Sequence, residues 1–204
     1  MAGDITLVLG VVVAAYLFGS IPSAYIVGRL LRGVDIREVG DGHLGMAFTY
    51  RRVGLLGAII VGLMDVSKGA AAVLLAQGLK LPLPVVLVAG LAVVFGHNWS
   101  IFLGFKGGKG ALTTYGVLVT LMCWQFFIAL ALAGVLFFFT HRSGMSTGVL
   151  FGLLSMLCWF TGSVILLSIL PVLISLPMVL KHVFMPKVGA TAMATVEDLG
   201  SKEG

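Results

Sequence analysis

Gly104-Phe105-Lys106-Gly107-Gly108-Lys109-Gly110 stands directly before an apolar run that starts at Ala111. A glycine-rich turn feeding a helix N-terminus suits an anion, because unpaired N–H groups and the helix dipole both favour negative charge there. Lys106 and Lys109 add mobile point charges suited to phosphate. The spacing is not that of a nucleotide-hydrolysing P-loop. Leu103 stands six residues before Lys109 where glycine is required, and Gly110 follows it in place of Ser or Thr. Phosphate held without nucleotide is the chemistry expected of Gly107, Gly108, Gly110 and the two lysines.

A second glycine-rich stretch, residues 32–54, has glycines at 33, 40, 42, 45 and 54 among arginines and carboxylates. Gly40, Gly42 and Gly45 would let the backbone approach a ligand closely, and Arg51 could clamp phosphate or carboxylate oxygens in a bidentate fork. An ordinary polar loop with topology-setting arginines is the alternative. His97 lies in Gly96-His97-Asn98-Trp99, close in sequence to Lys109. An isolated histidine is more often a satisfied hydrogen-bonder than a catalyst, and that nearness is what makes it a candidate for proton transfer. Asp65 and Lys68 are the only charges inside an expected span, and their i, i+3 spacing puts them on one helical face. A charge in the bilayer core costs roughly 2.5–3.5 kcal/mol on insertion scales, so both should face the protein interior or a wet cavity. They either neutralise each other or sit beside a polar ligand. Gly19-Ser20-Ile21-Pro22-Ser23 is small and polar with a helix breaker, which predicts close packing or a local break exposing backbone groups.

The elements that must carry these residues follow from composition. Of 204 residues, 59% are hydrophobic and 10% charged, too few polar groups to cover a soluble globule. The chain reads as an all-α, polytopic integral membrane helix bundle. Apolar runs fall at about 5–27, 53–76, 82–103 and 112–139, and a last stretch covers 148–180. A straight helix over that last stretch would be roughly 50 Å long, so Pro171 and Pro177 are expected to break or kink it. Taken as one crossing, it leaves ten basic residues on one side and only Lys80 and Arg142 on the other. Splitting it alone reduces the bias to seven against five. The positive-inside rule therefore predicts an odd number of crossings, five most simply and up to seven, with the N-terminus outside and the C-terminus cytoplasmic.

Other readings narrow. Cys123 and Cys158 lie in apolar runs, and His43, His97, His141 and His182 are scattered, so no metal site or cofactor is expected. The first apolar run lasts over 20 residues with no Lys or Arg before it, which predicts a retained span. No internal repeat is evident, which argues against an inverted-repeat transporter. Residues 1–186 read as one transmembrane domain and residues 187–204 as a flexible cytoplasmic tail. The net charge of +5 is spent on topology, so no nucleic-acid partner is expected.

Together these residues resemble a known family. Gly19-Ser20-Ile21-Pro22, Asp35-Ile36-Arg37 and Arg51 come first, followed by Asp65-x-x-Lys68-Gly69, Gly96-His97 and Phe105-Lys106-Gly107-Gly108-Lys109-Gly110. This ordered set is similar to the bacterial acyl-phosphate-dependent glycerol-3-phosphate acyltransferases, the PlsY family. The resemblance covers residues 16–115 and, by length and hydropathy, reaches about residue 182. It implies acyl transfer from acyl phosphate to the 1-hydroxyl of glycerol 3-phosphate, giving lysophosphatidic acid and phosphate for phospholipid synthesis. It implies a site facing the cytoplasm in a bacterial inner or plasma membrane, with no metal and no acyl-enzyme. His97, Lys109 and Arg51 match its catalytic positions; Ser20, Asp65, Lys68 and His182 match supporting ones. Membrane lipid and the soluble enzyme that makes acyl phosphate are the expected partners.

The sequence departs from the family in the first loop, near the C-terminus, and at a later serine pair that stands here as Gly144 and Thr147. Where the family reads Gly-Ser-Gly-Asn-x-Gly-Ala-Thr-Asn, this chain has Gly40-Asp41-Gly42-His43-Leu44-Gly45-Met46-Ala47-Phe48. Where it reads His-Arg-x-Asn-Ile, Val183 and Met185 follow His182 in place of the arginine and asparagine. A relative that binds phosphorylated lipid or a partner without efficient turnover is therefore the alternative expectation. The other glycerolipid acyltransferase pattern, His-x₄-Asp, is absent: Phe48, Phe102, Ser146 and Lys187 stand five residues after the histidines.

Overall fold

The computed structural model describes residues 2–33, 45–141 and 143–184. Gly40, Asp41, Gly42, His43, Arg142 and the tail 187–204 lie outside the described residues. All regular structure among the described residues is helical. The order is α1 (Ala2–Ser20), α2 (Ser23–Arg32), α3 (Met46–Val53), α4 (Leu55–Gly78), α5 (Leu83–Asn98), a 3₁₀ turn (Ile101–Leu103), α6 (Ala111–Leu121), α7 (Cys123–Thr140), α8 (Ser143–Phe160) and α9 (Ile165–Phe184).

Among the described residues, four segments are long and apolar enough to cross a membrane: Ile5–Arg32, Leu55–Gly78, Leu83–Leu103 and Cys123–Thr140. Three shorter apolar helices, Ala111–Leu121, Gly144–Phe160 and Ile165–Lys181, accompany them. The apolar run 112–139, expected as one helix, is broken at Met122, whose φ of −146° and ψ of 61° are not helical. Residues 11 apart in a continuous helix would be about 16 Å apart along the axis. The rings of Tyr115 and Phe126 are instead 5.5 Å apart, because the chain bends back between them.

The last stretch also breaks, but not where proline predicted. Pro171 and Pro177 lie inside α9, where packed neighbours keep the helix intact around each lost donor. The interruption falls between Phe160 and Ile165. Gly162 adopts φ +68°, and the Ser163 N–H bonds back to Cys158 O at 3.0 Å, a left-handed glycine cap that closes α8. Glycine stops the helix here, and proline does not.

Two helix pairs approach closely enough to exclude side chains. A Cβ on Gly19 of α1 would collide with the Val93 carbonyl of α5, and one on Gly96 of α5 with the Tyr16 carbonyl of α1. Gly69 of α4 and Gly116 of α6 make the same reciprocal contact through the Thr113 and Val66 carbonyls. Small residues let membrane helices gain dispersion contact where water supplies no driving force. The fully buried Val73, Val93, Val94, Val117 and Leu118 fill the space between these pairs, and Leu150, Leu154, Leu170 and Ile174 extend the core to α8 and α9. The two tight seams bring the ends of α1, α4 and α5 together around the residues described next.

Candidate active site

The site starts from the break in the first span. Pro22 supplies no N–H, so the helical ladder is interrupted between Ser20 and Ser23. Side chains from elsewhere take up the carbonyls there. Lys68 Nζ donates to Ile21 O at 2.9 Å and to Gly19 O at 3.5 Å, and Ser100 Oγ donates to Ser20 O. The same Lys68 Nζ pairs with Asp65 Oδ1 at 2.8 Å. Both charges are almost completely buried, so their pairing and their hydrogen bonds are what make burial tolerable.

Asp65 is shared further. Ser23 Oγ donates to its Oδ1 at 2.9 Å, and His97 Nδ1 lies 3.5 Å from the same oxygen. Of the two alternatives, the structure shows the self-neutralising pair. The i, i+3 pair forms, and both members line a cleft. Its other walls are Ser20, Ser23, His97, Ser100, Gly107 and Gly108. It is partly open to the outside.

The Gly-rich turn docks onto the end of α5. A Cβ on Gly107 would collide with the carbonyl oxygens of His97 and Asn98, so only glycine permits this approach. Gly110 caps α6 at φ +79°, a left-handed conformation that also favours glycine. The N-terminus of α6 therefore begins where the sequence placed it, immediately after the second lysine. Lys181, from the last turn of α9, reaches beneath this turn. Its Nζ donates to Gly107 O at 2.9 Å, to Gly108 O at 2.8 Å and to Asn98 O, and sits 5.6 Å from the centre of the Trp99 ring.

Of the residues singled out from sequence, His97, Asp65, Lys68, Ser20, Gly107 and Gly108 come together around the cleft. Ser20 is fully buried, and its hydroxyl donates to Tyr16 O at 2.9 Å. Lys106, Lys109 and Arg51 are exposed and are not among the residues lining it. Arg51 ends α3, its Nε 3.4 Å from Ala47 O. Gly45 caps the start of α3 and accepts from both the N–H and the hydroxyl of Thr49. Phe48, which stands where the resemblance expects asparagine, is buried with Ala24, Val27 and Val61, and Arg52 lies over its ring at 5.9 Å. That position contributes to the core and offers no hydrogen bond. Gly40 and Gly42 lie outside the described residues, and His182 falls in the last turn of α9.

Ser100 and Lys181 carry no site expectation from the sequence, and Ser23 and Asn98 enter it only as members of the Gly19–Ser23 and Gly96–Trp99 motifs. Ser23 and Ser100 gave no signal beyond polarity near a span end. For Lys181 the signal in the sequence is a lysine beside His182 at the end of an apolar stretch.

Comparison with known proteins shows the family. Residues 9–185 match the family model of glycerol-3-phosphate acyltransferase. The chain is 50% identical over 123 residues to glycerol-3-phosphate acyltransferase 2 of Moorella thermoacetica, covering 58% of this chain and 63% of that protein. It spans 57% and 53% of the relatives from Parasynechococcus marenigrum and Synechococcus sp.. Coverage is longer for glycerol-3-phosphate acyltransferase 4 of Dehalococcoides mccartyi, 37% identical over 169 residues, 81% of this chain and 91% of that protein. The crystal structure of PlsY (YgiH), an integral membrane glycerol 3-phosphate acyltransferase in its glycerol 3-phosphate form, superposes with a TM-score of 0.76. It is 27% identical, and the superposition covers 86% of this chain and 88% of that one. The chain belongs to the glycerol-3-phosphate acyltransferase family.

Proposed function

We propose that this protein transfers a fatty acyl group from acyl phosphate to the 1-hydroxyl of glycerol 3-phosphate, with the cleft between α1, α4, α5 and the Gly-rich turn as its site. The observation that carries the reading is His97 against Asp65, in the same cleft wall as Gly107 and Gly108. The attacking hydroxyl oxygen forms a bond to the acyl carbonyl carbon. The bond from that carbon to the phosphate oxygen breaks, inorganic phosphate leaves, and the hydroxyl proton passes to a base. An imidazole whose Nδ1 faces a carboxylate is held in the tautomer with Nε2 free to accept a proton. His97 is that base and Asp65 its orienting partner. The mixed anhydride is already activated, so holding two phosphates and one hydroxyl in register supplies much of the rate. Lys106, Lys109 and Arg51, exposed beside the turn and on α3, close on substrate phosphates as these arrive.

The same reading extends to topology. With the bends at Met122 and at Gly162, the seven apolar segments make seven crossings. Arg142 then joins the ten basic residues on the cytoplasmic side, and Lys80 stands alone opposite them. Eleven against one is a stronger bias than ten against two, and it supports a cytoplasmic site with the N-terminus outside. Residues 1–186 act as the single catalytic domain, and the soluble enzyme that makes acyl phosphate supplies the donor. The test is direct. Purified protein given acyl phosphate and glycerol 3-phosphate forms lysophosphatidic acid and inorganic phosphate, and Lys109→Ala or Arg51→Ala abolishes both. Binding of phosphorylated lipid with no turnover above the Lys109→Ala background, beside an active family member as control, would favour the non-catalytic alternative.

A further inference from the structure

A buried lysine ammonium that donates to three backbone carbonyls is an unusual support for a turn. Lys181 is 4% exposed and does not line the cleft, whereas Gly107 and Gly108, whose carbonyls it holds, do. The peptide units are trans. In a planar trans unit the C=O of one residue and the N–H of the next point in opposite directions. Drawing the carbonyls of Gly107 and Gly108 onto one ammonium therefore turns the N–H groups of Gly108 and Lys109 to the other face of the turn. Among the described residues, neither of these N–H groups donates to a backbone carbonyl. Successive N–H groups aimed at one side form a concavity that attracts anions. A second observation lies in the same place. Asn98 is fully buried against Gly110, and both polar atoms of its side-chain amide are unpartnered among the described residues.

We propose that Lys181 is a positioning residue that shapes the phosphate-binding face of the Gly-rich turn, by fixing the Gly107 and Gly108 carbonyls so that the Gly108 and Lys109 amides face the cleft. The assignment rests on the reading of that turn as a phosphate site, but it needs no turnover. Lys181 is not a substrate ligand. Its hydrogen bonds go to backbone carbonyls only, and its charge lies behind the turn, where it also adds to the positive potential of the site.

The experiment is a titration of the full-length protein in micelles with inorganic phosphate and, separately, with glycerol 3-phosphate, following backbone amide resonances. In the wild type the Gly108 and Lys109 amides shift on saturation with one or both ligands, and the more responsive ligand identifies whose phosphate the turn holds. Lys181→Met keeps its helical content but binds at least tenfold more weakly, and Lys181→Arg restores binding to within about threefold. A purely structural lysine would lower thermal stability without this selective loss or its rescue by arginine. Wild-type affinity in Lys181→Met, or shifts confined to other amides, would overturn the proposal. Should Lys181→Met not fold, Lys181→Gln takes its place: weaker binding than in Lys181→Arg upholds the assignment, and wild-type affinity in both overturns it. Amide shifts without turnover would refute the acyltransferase reading alone, and turnover without amide shifts would refute this assignment alone.

Discussion

His97 Nδ1 lies 3.5 Å from Asp65 Oδ1, so an imidazole at the end of α5 and a carboxylate inside α4 share one electrostatic unit. The contact joins residues 32 apart in sequence and depends on the glycine seams that bring α1, α4 and α5 together. His97→Gln should therefore lower kcat by about 10²–10⁴, the range for loss of a positioned base, with little change in melting temperature. Steady-state kinetics with thermal melts separates the two effects. A variant with wild-type kcat would remove His97 from the proton path.

Asp65 and Lys68 should behave as a unit in stability. Removing one partner leaves a buried charge, at a cost of about 3–5 kcal/mol, whereas replacing both with apolar residues of similar size costs less. Asp65→Leu and Lys68→Met are each expected to melt well below wild type. The double variant should melt above either single one yet stay inactive, because Ile21 O and His97 lose their partners together. Additive destabilisation in the double variant would contradict the pairing.

Gly107→Ala should disable the enzyme, because its Cβ has no room against the His97 and Asn98 carbonyls and the turn must move. Gly10→Ala is the control, since nothing lies within 4 Å of its Cβ. Loss of at least tenfold in kcat/KM for the first and wild-type activity for the second is expected. Equal activities would show that the turn tolerates displacement.

Much of this site was legible in sequence because the signals were local. Pro22 after Ser20 announces an interrupted helix, Asp65 and Lys68 share a face by spacing, and Gly110 before Ala111 announces a helix start. What stayed hidden was set by packing. No local pattern says that Lys181 of α9 reaches the turn at Gly107, or that Phe48 fills a core between α2 and α4. The long apolar stretches misled for a related reason. Uniform hydrophobicity carries no boundary, so the bend at Met122 is silent, while Pro171 and Pro177 signal a break that neighbouring helices suppress.

Topology has its own check. Single cysteines at Lys80 and Arg142, in a Cys123→Ala, Cys158→Ala background, should label from opposite faces in sealed, inside-out vesicles. Arg142→Cys should react with an impermeant maleimide added outside such vesicles, and Lys80→Cys should react only after they are opened. Labelling of both from one face would contradict seven crossings.

Acyl transfer at the His97–Asp65 cleft can be read from product analysis of a single reaction. Wild-type protein is incubated with acyl phosphate and glycerol 3-phosphate, and lysophosphatidic acid and inorganic phosphate are measured together, beside His97→Gln. Equal amounts of the two products are expected from the wild type, and less than about one hundredth of that rate from the variant. No lysophosphatidic acid from folded wild-type protein, or an unchanged rate in His97→Gln, would contradict acyl transfer at this cleft.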